Sequence, residues 1–287
     1  MEIYALEVCM LLGYLLIFPA ILSGIFCWST GAFESDTWYW MLPVSYVGGF
    51  FVALILFLAV VLVSGLLVDR DKPQEKDSKY YRFLIARVSE FAKLLLSAKV
   101  HTEGLEKMPQ SGRFLLVCNH LAEVDPLLLM GCLHKTGITF VSKRENRDRF
   151  MIGQYMHKIR CPLMNRENDR EALKTILHCI DMLKEDQASI GVFPEGYIRP
   201  DRKLHKLRSG VFKIAQRTNV PIVVCTLQNT QYIRFNYKKL KKTHVQLHLV
   251  EVIQPEQYEG MSTIELGTMI YEIMARDLGP ENISSEE

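Results

Sequence analysis

Two long apolar stretches open the chain. Val8–Phe33 carries no formal charge and is almost wholly apolar as far as Trp28, and Thr37–Val68 is uncharged throughout. At 1.5 Å per residue, each is long enough to cross a hydrocarbon core of about 30 Å. The pattern then changes. Tyr81, Leu84, Val88, Phe91 and Leu95 recur at three- and four-residue intervals, with Arg82, Glu90, Lys93 and Ser97 on the other side. That spacing predicts an amphipathic helix, which can lie on a membrane surface or pack on the domain that follows. From Val100 onward short apolar runs at 113–118, 138–142, 161–164, 189–193, 221–227 and 245–252 alternate with helical patterns at 126–135, 145–158, 168–185, 209–218 and 262–277. Strands alternating with helices predict an α/β fold, a mostly parallel sheet flanked by helices. The expected organisation is a two-helix membrane anchor over 1–72, an amphipathic connection over 73–99 and a catalytic-type domain over 100–287.

Charge sharpens the division. The chain's net +2 hides four acids and no Lys or Arg in residues 1–68, against 34 basic and 28 acidic residues in the remainder. Basic residues begin only after the second apolar stretch, at Arg70, Lys72, Lys76, Lys79 and Arg82. The positive-inside rule therefore puts that end in the cytoplasm, and two spans put the following domain there too. Trp28, Trp38, Tyr39 and Trp40 cluster about the short linker, as an interfacial belt requires. A hairpin held in one leaflet is the competing arrangement, since Pro19, Pro43, Gly48 and Gly49 permit bends. Met1-Glu2 offers no basic n-region of a cleaved signal. Seven cysteines without C-x-x-C spacing point to reduced thiols rather than a disulfide scaffold or zinc site.

The chemistry gathers where runs end. Asn119-His120-Leu121-Ala122-Glu123-Val124-Asp125-Pro126 follows the apolar run Phe114–Cys118. Asp125 suits a helix N-cap and Pro126 the first turn. Residues five apart on one helix diverge by roughly 140°, so His120 and Asp125 meet only if the chain turns between them. A neutral imidazole can take a proton from a hydroxyl while a carboxylate fixes its tautomer. No G-x-S-x-G elbow occurs, so the activated hydroxyl can belong to the substrate. Lys143, after Phe140-Val141-Ser142, and Arg166, after Pro162–Asn165, place cations at two further run ends, while Arg144, Arg147 and Arg149 read as surface charge. Val192-Phe193-Pro194-Glu195-Gly196-Tyr197-Ile198-Arg199 ends another strand in a turn where Gly196 lets backbone approach a ligand and Arg199 can grip a phosphate. Val220-Pro221-Ile222 enters a buried strand. The run Lys238-Lys239-Leu240-Lys241-Lys242 fits a solvated loop or a contact with anionic lipid or an acidic carrier protein.

Taken in order, these four blocks over about 100–252 resemble the glycerophospholipid acyltransferases, most of all the 1-acylglycerol-3-phosphate (lysophosphatidate) acyltransferases. The resemblance implies direct transfer of an acyl group from acyl-CoA or acyl-carrier protein to a lipid hydroxyl. His120 would be the base and Asp125 its orienter. Glu195, Arg166 and Arg199 would hold the acceptor's phosphate end, Gly196 would shape the turn, Pro221 would help shape an acyl tunnel, and Lys143 would stabilise an oxyanion or phosphate. No metal or redox cofactor is implied, and the partners are an acyl thioester, a lipid acceptor and the bilayer rather than nucleic acid. One departure keeps the acceptor open. The third block usually reads Phe-Pro-Glu-Gly-Thr-Arg, whereas here the arginine comes one residue later, after Tyr197-Ile198. Glycerol 3-phosphate, another lysophospholipid or a lyso-aminolipid therefore compete as acceptors, and a non-catalytic scaffold or a hydrolase using water compete as functions.

Overall fold

The computed structural model describes residues 10–285, so Val8 and Cys9, the start of the first apolar stretch, and Glu7 at its edge lie outside the described residues. The chain divides into two units, residues 1–69 and 70–287. In the first, α1 (Met10–Ser29) and α2 (Trp38–Leu66) are both long and apolar enough to cross a membrane. Pro19 and Pro43 lie inside continuous helices, so neither proline ends its helix. The two helices run antiparallel. The Tyr14 hydroxyl donates to the Ala53 carbonyl at 3.2 Å, Ser23 donates to the Leu42 carbonyl at 2.8 Å, and the Ser23 and Ser45 hydroxyls lie 2.6 Å apart. A Cβ on Gly49 would come within 3.3 Å of the Pro19 Cα, so the missing side chain sets how closely these helices approach.

The second unit opens with α3 (Lys79–Leu95), whose N-cap Ser78 accepts from the Tyr81 amide. Its buried face comprises Leu84, Ile85, Ala86, Arg87 and Ser89, and Leu95 stands in solvent. Leu84–Arg87 takes up a full turn, so the helix is enclosed on every side there rather than on the one predicted face, and the buried Arg87 is neutralised by Glu90 at 2.9 Å. Gly131, on the neighbouring helix, makes room for Ser89.

The main sheet is formed by β1 (Ala98–Glu103), β2 (Leu115–Cys118), β3 (Ile138–Phe140), β6 (Ser189–Val192), β7 (Ile222–Gln228) and β8 (Thr243–Ile253), in the order β1-β8-β7-β2-β6-β3. β7, β2, β6 and β3 are mutually parallel, and β8, with β1 parallel to it, runs the other way. A second, two-stranded sheet pairs β4 (Ser142–Lys143) with β5 (Leu163–Met164). The helices are α4 (Asp125–Cys132), α5 (Ile152–Lys158), α6 (Asp169–Lys184), α7 (Lys213–Thr218), α8 (Ile233–Lys238), α9 (Pro255–Tyr258) and α10 (Thr263–Leu278).

Alternation along β2 explains the two-faced core. Leu115 and Val117 pack with α6, α7 and α10, while Leu116 and Cys118 pack with α4 on the other face. All four are fully buried, as a central parallel strand requires. The pattern expected at 145–158 is a short 3-10 turn at Arg144–Asp148 followed by α5, broken at Met151, where φ is 63°. A Cβ on Gly153 would fall 1.8 Å from the Arg147 carbonyl oxygen, and only glycine permits that fold-back.

Candidate active site

Parallel strands deliver their carboxyl ends to one edge of the sheet. β2 ends at Cys118 and leads into Asn119-His120, β6 ends at Val192 and leads into Phe193-Pro194-Glu195, and β7 ends at Gln228. The turn after β2 is clamped from both neighbours. On the β7 side, the Asn119 side chain donates to the Leu227 carbonyl at 2.9 Å and accepts from the Leu227 amide at 2.7 Å. On the β6 side, the His120 amide donates to Glu195 Oε1 at 2.8 Å. Arg202 adds a bond from Nη1 to the Leu121 carbonyl at 2.6 Å.

Inside this frame His120 Nδ1 and Asp125 Oδ2 are 2.9 Å apart. The same oxygen accepts the amides of Leu121 and Ala122, each at 2.7 Å. Asp125 is wholly buried. Three donors converging on one carboxylate oxygen define it as an acceptor, so Nδ1 carries the imidazole proton and Nε2 is left basic. The expected N-cap role is not what the side chain does. Val124 occupies the cap position, Asp125 is the first residue of α4, and its carboxylate holds the preceding turn instead. The imidazole lies on Phe193, with ring centroids 4.2 Å apart and planes 20° from parallel, and Phe193 in turn stacks on Phe140 at 5.3 Å. Gly191 leaves the space that the Phe140 ring fills.

Glu195 is buried, and its second oxygen accepts the His205 amide at 3.2 Å. Burial raises its carboxyl from 4.5 to about 7, the two backbone amides opposing that rise. With both oxygens engaged by backbone, Glu195 joins the β6 turn to the His120 turn, and its carboxylate is not turned to an acceptor as the sequence reading expects. Gly196 has φ 88°, and a Cβ there would sit 2.8 Å from Arg208 Nε, so the glycine lets Arg208 lie across the turn. The Arg208 amide also donates to the Pro194 carbonyl at 2.9 Å. Tyr197 has the Arg199 guanidinium 4.2 Å and the Arg208 guanidinium 6.0 Å from its ring centroid. Arg166 is half-buried. Burial lowers its pKa, and the Arg208 charge lowers it further, with Glu145 opposing. None of these three guanidiniums is ion-paired among the described residues.

Lys143 is exposed on β4, opposite Met164 of β5, the strand that leads to Arg166. Pro221 is not brought to this edge. Its carbonyl accepts the Leu115 amide at 3.0 Å at the start of β2, at the opposite edge, roughly 20 Å of strand from Leu227. The proline enters β7 where its missing N–H costs no ladder bond. Cys118 is fully buried, and burial pushes its thiol well up, so no thiolate nucleophile stands beside the dyad. Arg208 and Phe193 escape a sequence reading for different reasons. Arg208 lies 13 positions after Glu195 in a polar loop, and a phenylalanine ending an apolar run reads as core.

Residues 99–228 match the family model named Acyltransferase. These residues are an acyltransferase domain. The relatives of the acyltransferase domain carry consistent names. The chain is 28% identical over 209 residues to a probable 1-acyl-sn-glycerol-3-phosphate acyltransferase of Mycoplasma pneumoniae, covering 68% of this chain and 76% of that one. It is 30% identical over 182 residues to a chloroplastic 1-acyl-sn-glycerol-3-phosphate acyltransferase of Brassica napus, covering 61% of this chain and 50% of that one. The chain thus spans half the length of the Brassica relative. The crystal structure of a 1-acyl-sn-glycerophosphate acyltransferase from Thermotoga maritima superposes with a TM-score of 0.59 at 23% identity, over 80% of this chain and 91% of that one, and shares the fold.

Proposed function

We propose that the chain transfers a fatty acyl group from acyl-CoA or acyl-carrier protein to the free hydroxyl of 1-acylglycerol 3-phosphate, giving phosphatidate. The observation that carries the reading is the clamped His120–Asp125 pair, with Nδ1 committed to the carboxylate, together with Arg166, Arg199 and Arg208, none of them ion-paired among the described residues. His120 Nε2 accepts the proton as the acceptor oxygen attacks the thioester carbonyl carbon. The tetrahedral intermediate collapses by breaking the carbon–sulfur bond. The thiolate leaves with the proton that His120 returns, and no acyl-enzyme forms. Asp125 stabilises the imidazolium between the two steps. The acceptor's phosphate pairs with Arg166 and Arg208, with Arg199 behind Tyr197, and Lys143 is a further cation for the oxyanion or phosphate. α1 and α2 anchor the chain in a membrane, with the domain on the cytoplasmic side.

The test uses purified full-length protein in lipid, an acyl thioester and a panel of phosphate-bearing and phosphate-free lysolipids. Wild type transfers to 1-acylglycerol 3-phosphate, and His120→Ala loses on the order of 100-fold or more in kcat. Arg208→Ala raises the acceptor's KM about tenfold while leaving that of the thioester nearly unchanged. Transfer to a phosphate-free acceptor at equal efficiency, or equal KM effects on both substrates, overturns the assignment of the arginines. An active His120→Ala overturns the general base.

A further inference from the structure

The segment between β7 and β8 is given no step in the proposed transfer chemistry, yet it is strongly basic. It runs Asn229-Thr-Gln-Tyr-Ile-Arg-Phe-Asn-Tyr-Lys-Lys-Leu-Lys-Lys242, with five cations and no acid. Arg234, Lys238, Lys239, Lys241 and Lys242 are exposed, and none is ion-paired among the described residues. Four large apolar or aromatic side chains lie among them in solvent: Tyr232 at 51%, Phe235 at 56%, Tyr237 at 42% and Leu240 at 93% exposed. Because β7 runs parallel to β2, this segment leaves the sheet at the edge that carries His120, and Asn119 is bonded to Leu227 just before it.

The segment is held in a fixed shape. Ile233 is buried and anchors α8, Asn229 donates to the His244 carbonyl at 3.0 Å, and Asn236 donates to Thr243 Oγ1 at 3.1 Å. The helix closes with the Lys241 amide donating to the Asn236 carbonyl at 2.9 Å and the Leu240 amide to the Tyr237 carbonyl at 3.0 Å. That is a Schellman ending, whose left-handed position is usually glycine. Here it is Leu240, at φ 52°. A branched side chain is thus kept in a disfavoured backbone conformation and left almost wholly in water. Water offsets neither cost, whereas a hydrocarbon phase takes up the leucine.

We propose that residues 232–242 form an interfacial docking element that seats the active-site edge on an anionic phospholipid surface, with Leu240 and the aromatic rings entering the acyl boundary and the five cations at headgroup level. An acidic carrier protein would match the charge, but a polar acidic surface gives the exposed leucine and three rings no apolar phase. The inference goes beyond the proposed reaction and does not depend on it, because the contact is read without acyl transfer.

The experiment places photoreactive p-benzoylphenylalanine at position 235 of the full-length chain. The chain is reconstituted in nanodiscs of phosphatidylcholine alone or mixed with phosphatidylglycerol. The same probe at 264, an exposed position beside the strand edge away from His120, is the control. Lipid adducts are expected at 235 in anionic discs, and few at 264. Lys→Gln replacement of Lys238, Lys239, Lys241 and Lys242 together lowers the yield at least about tenfold. Leu240→Gly relieves the backbone, so it melts no lower than wild type, yet lowers the yield severalfold. Equal lipid labelling at 235 and 264, yields indifferent to anionic lipid, or adducts that move to acyl-carrier protein when it is added would each overturn the proposal.

Discussion

The single oxygen shared by three donors makes Asp125→Asn an unusually direct probe of the dyad. In the wild-type site His120 Nδ1 and the amides of Leu121 and Ala122 all meet Oδ2, whereas Oδ1 is buried with no hydrogen-bond partner among the described residues. An asparagine set with its oxygen at the Oδ2 position keeps all three bonds and puts its NH2 where Oδ1 was. The reverse orientation would face an NH2 toward three N–H groups, and is excluded by their combined cost. The variant therefore preserves the turn and the tautomer and removes only the charge. A carboxylate and an imidazolium with charge centres roughly 4 Å apart attract by about 4 kcal/mol at an effective dielectric of about 20. Loss of that term from the transition state lowers kcat by up to about 10³-fold. The buried NH2 without an acceptor costs about 1–3 kcal/mol of stability. Asp125→Ala instead orphans two backbone amides, for roughly 2–6 kcal/mol, a large share of the 5–15 kcal/mol that holds a typical domain. The assay is acyl transfer under saturating substrates together with thermal melts of all three proteins. Asp125→Asn should fold, melt slightly lower and turn over slowly, while Asp125→Ala should melt far lower. An asparagine variant with wild-type kcat would refute the idea that the carboxylate's charge supports the imidazolium.

Glu195 makes stability depend on pH in a definite direction. Its folded pKa of about 7 lies above the usual 4.5, so the folded chain binds this proton more tightly, and the stabilisation present below 4.5 is lost as pH rises through about 7. Over that window the group alone removes roughly 3 kcal/mol, and Glu195→Gln, always neutral, should flatten the melting temperature against pH there. An unchanged slope would place the carboxyl in water. Gly191→Ala puts a Cβ 2.5 Å from the Phe140 ring, at an overpacking cost of about 1–3 kcal/mol. Since Phe140 supports Phe193 and Phe193 supports His120, kcat should fall while both KM values hold, and a variant that melts lower with unaltered kcat would separate the ring stack from the base.

Much of the fold was open to a reading of pattern, because central strands of a parallel sheet are continuous apolar runs and α6 and α10 have clear faces. What escaped was physically weak in sequence. β1, Ala-Lys-Val-His-Thr-Glu, is an edge strand with little to bury, and α8 takes only Ile233 into the core. α3 is enclosed on every side at Leu84–Arg87, with Glu90 neutralising the buried Arg87, a pairing that hydrophobic periodicity does not register. At the site, the His120 to Asp125 spacing was readable because both groups sit in one turn. Glu195 was readable as part of the site, but its use as a backbone acceptor depends on a strand adjacency that no local spacing carries. Pro221 was legible as the entrance of a buried strand, but which edge of the sheet that entrance lies on depends on the direction of the neighbouring strands, which local sequence does not carry.

The clamps on that turn also bear on how the chain matures. His120 and Asp125 are neighbours in sequence, but the groups that hold them lie far downstream, 75 residues away at Glu195 and 108 at Leu227. Contacts of such separation form late, since closing a long loop precedes any gain from it. During synthesis His120 therefore cannot be clamped in this turn until the segment through Gln228 has left the ribosome and β7 can pair with β2. The two long apolar helices are thus made well before the His120 turn can be fixed, so a chain interrupted between residues 66 and 228 carries both helices and lacks the clamped His120–Asp125 pair.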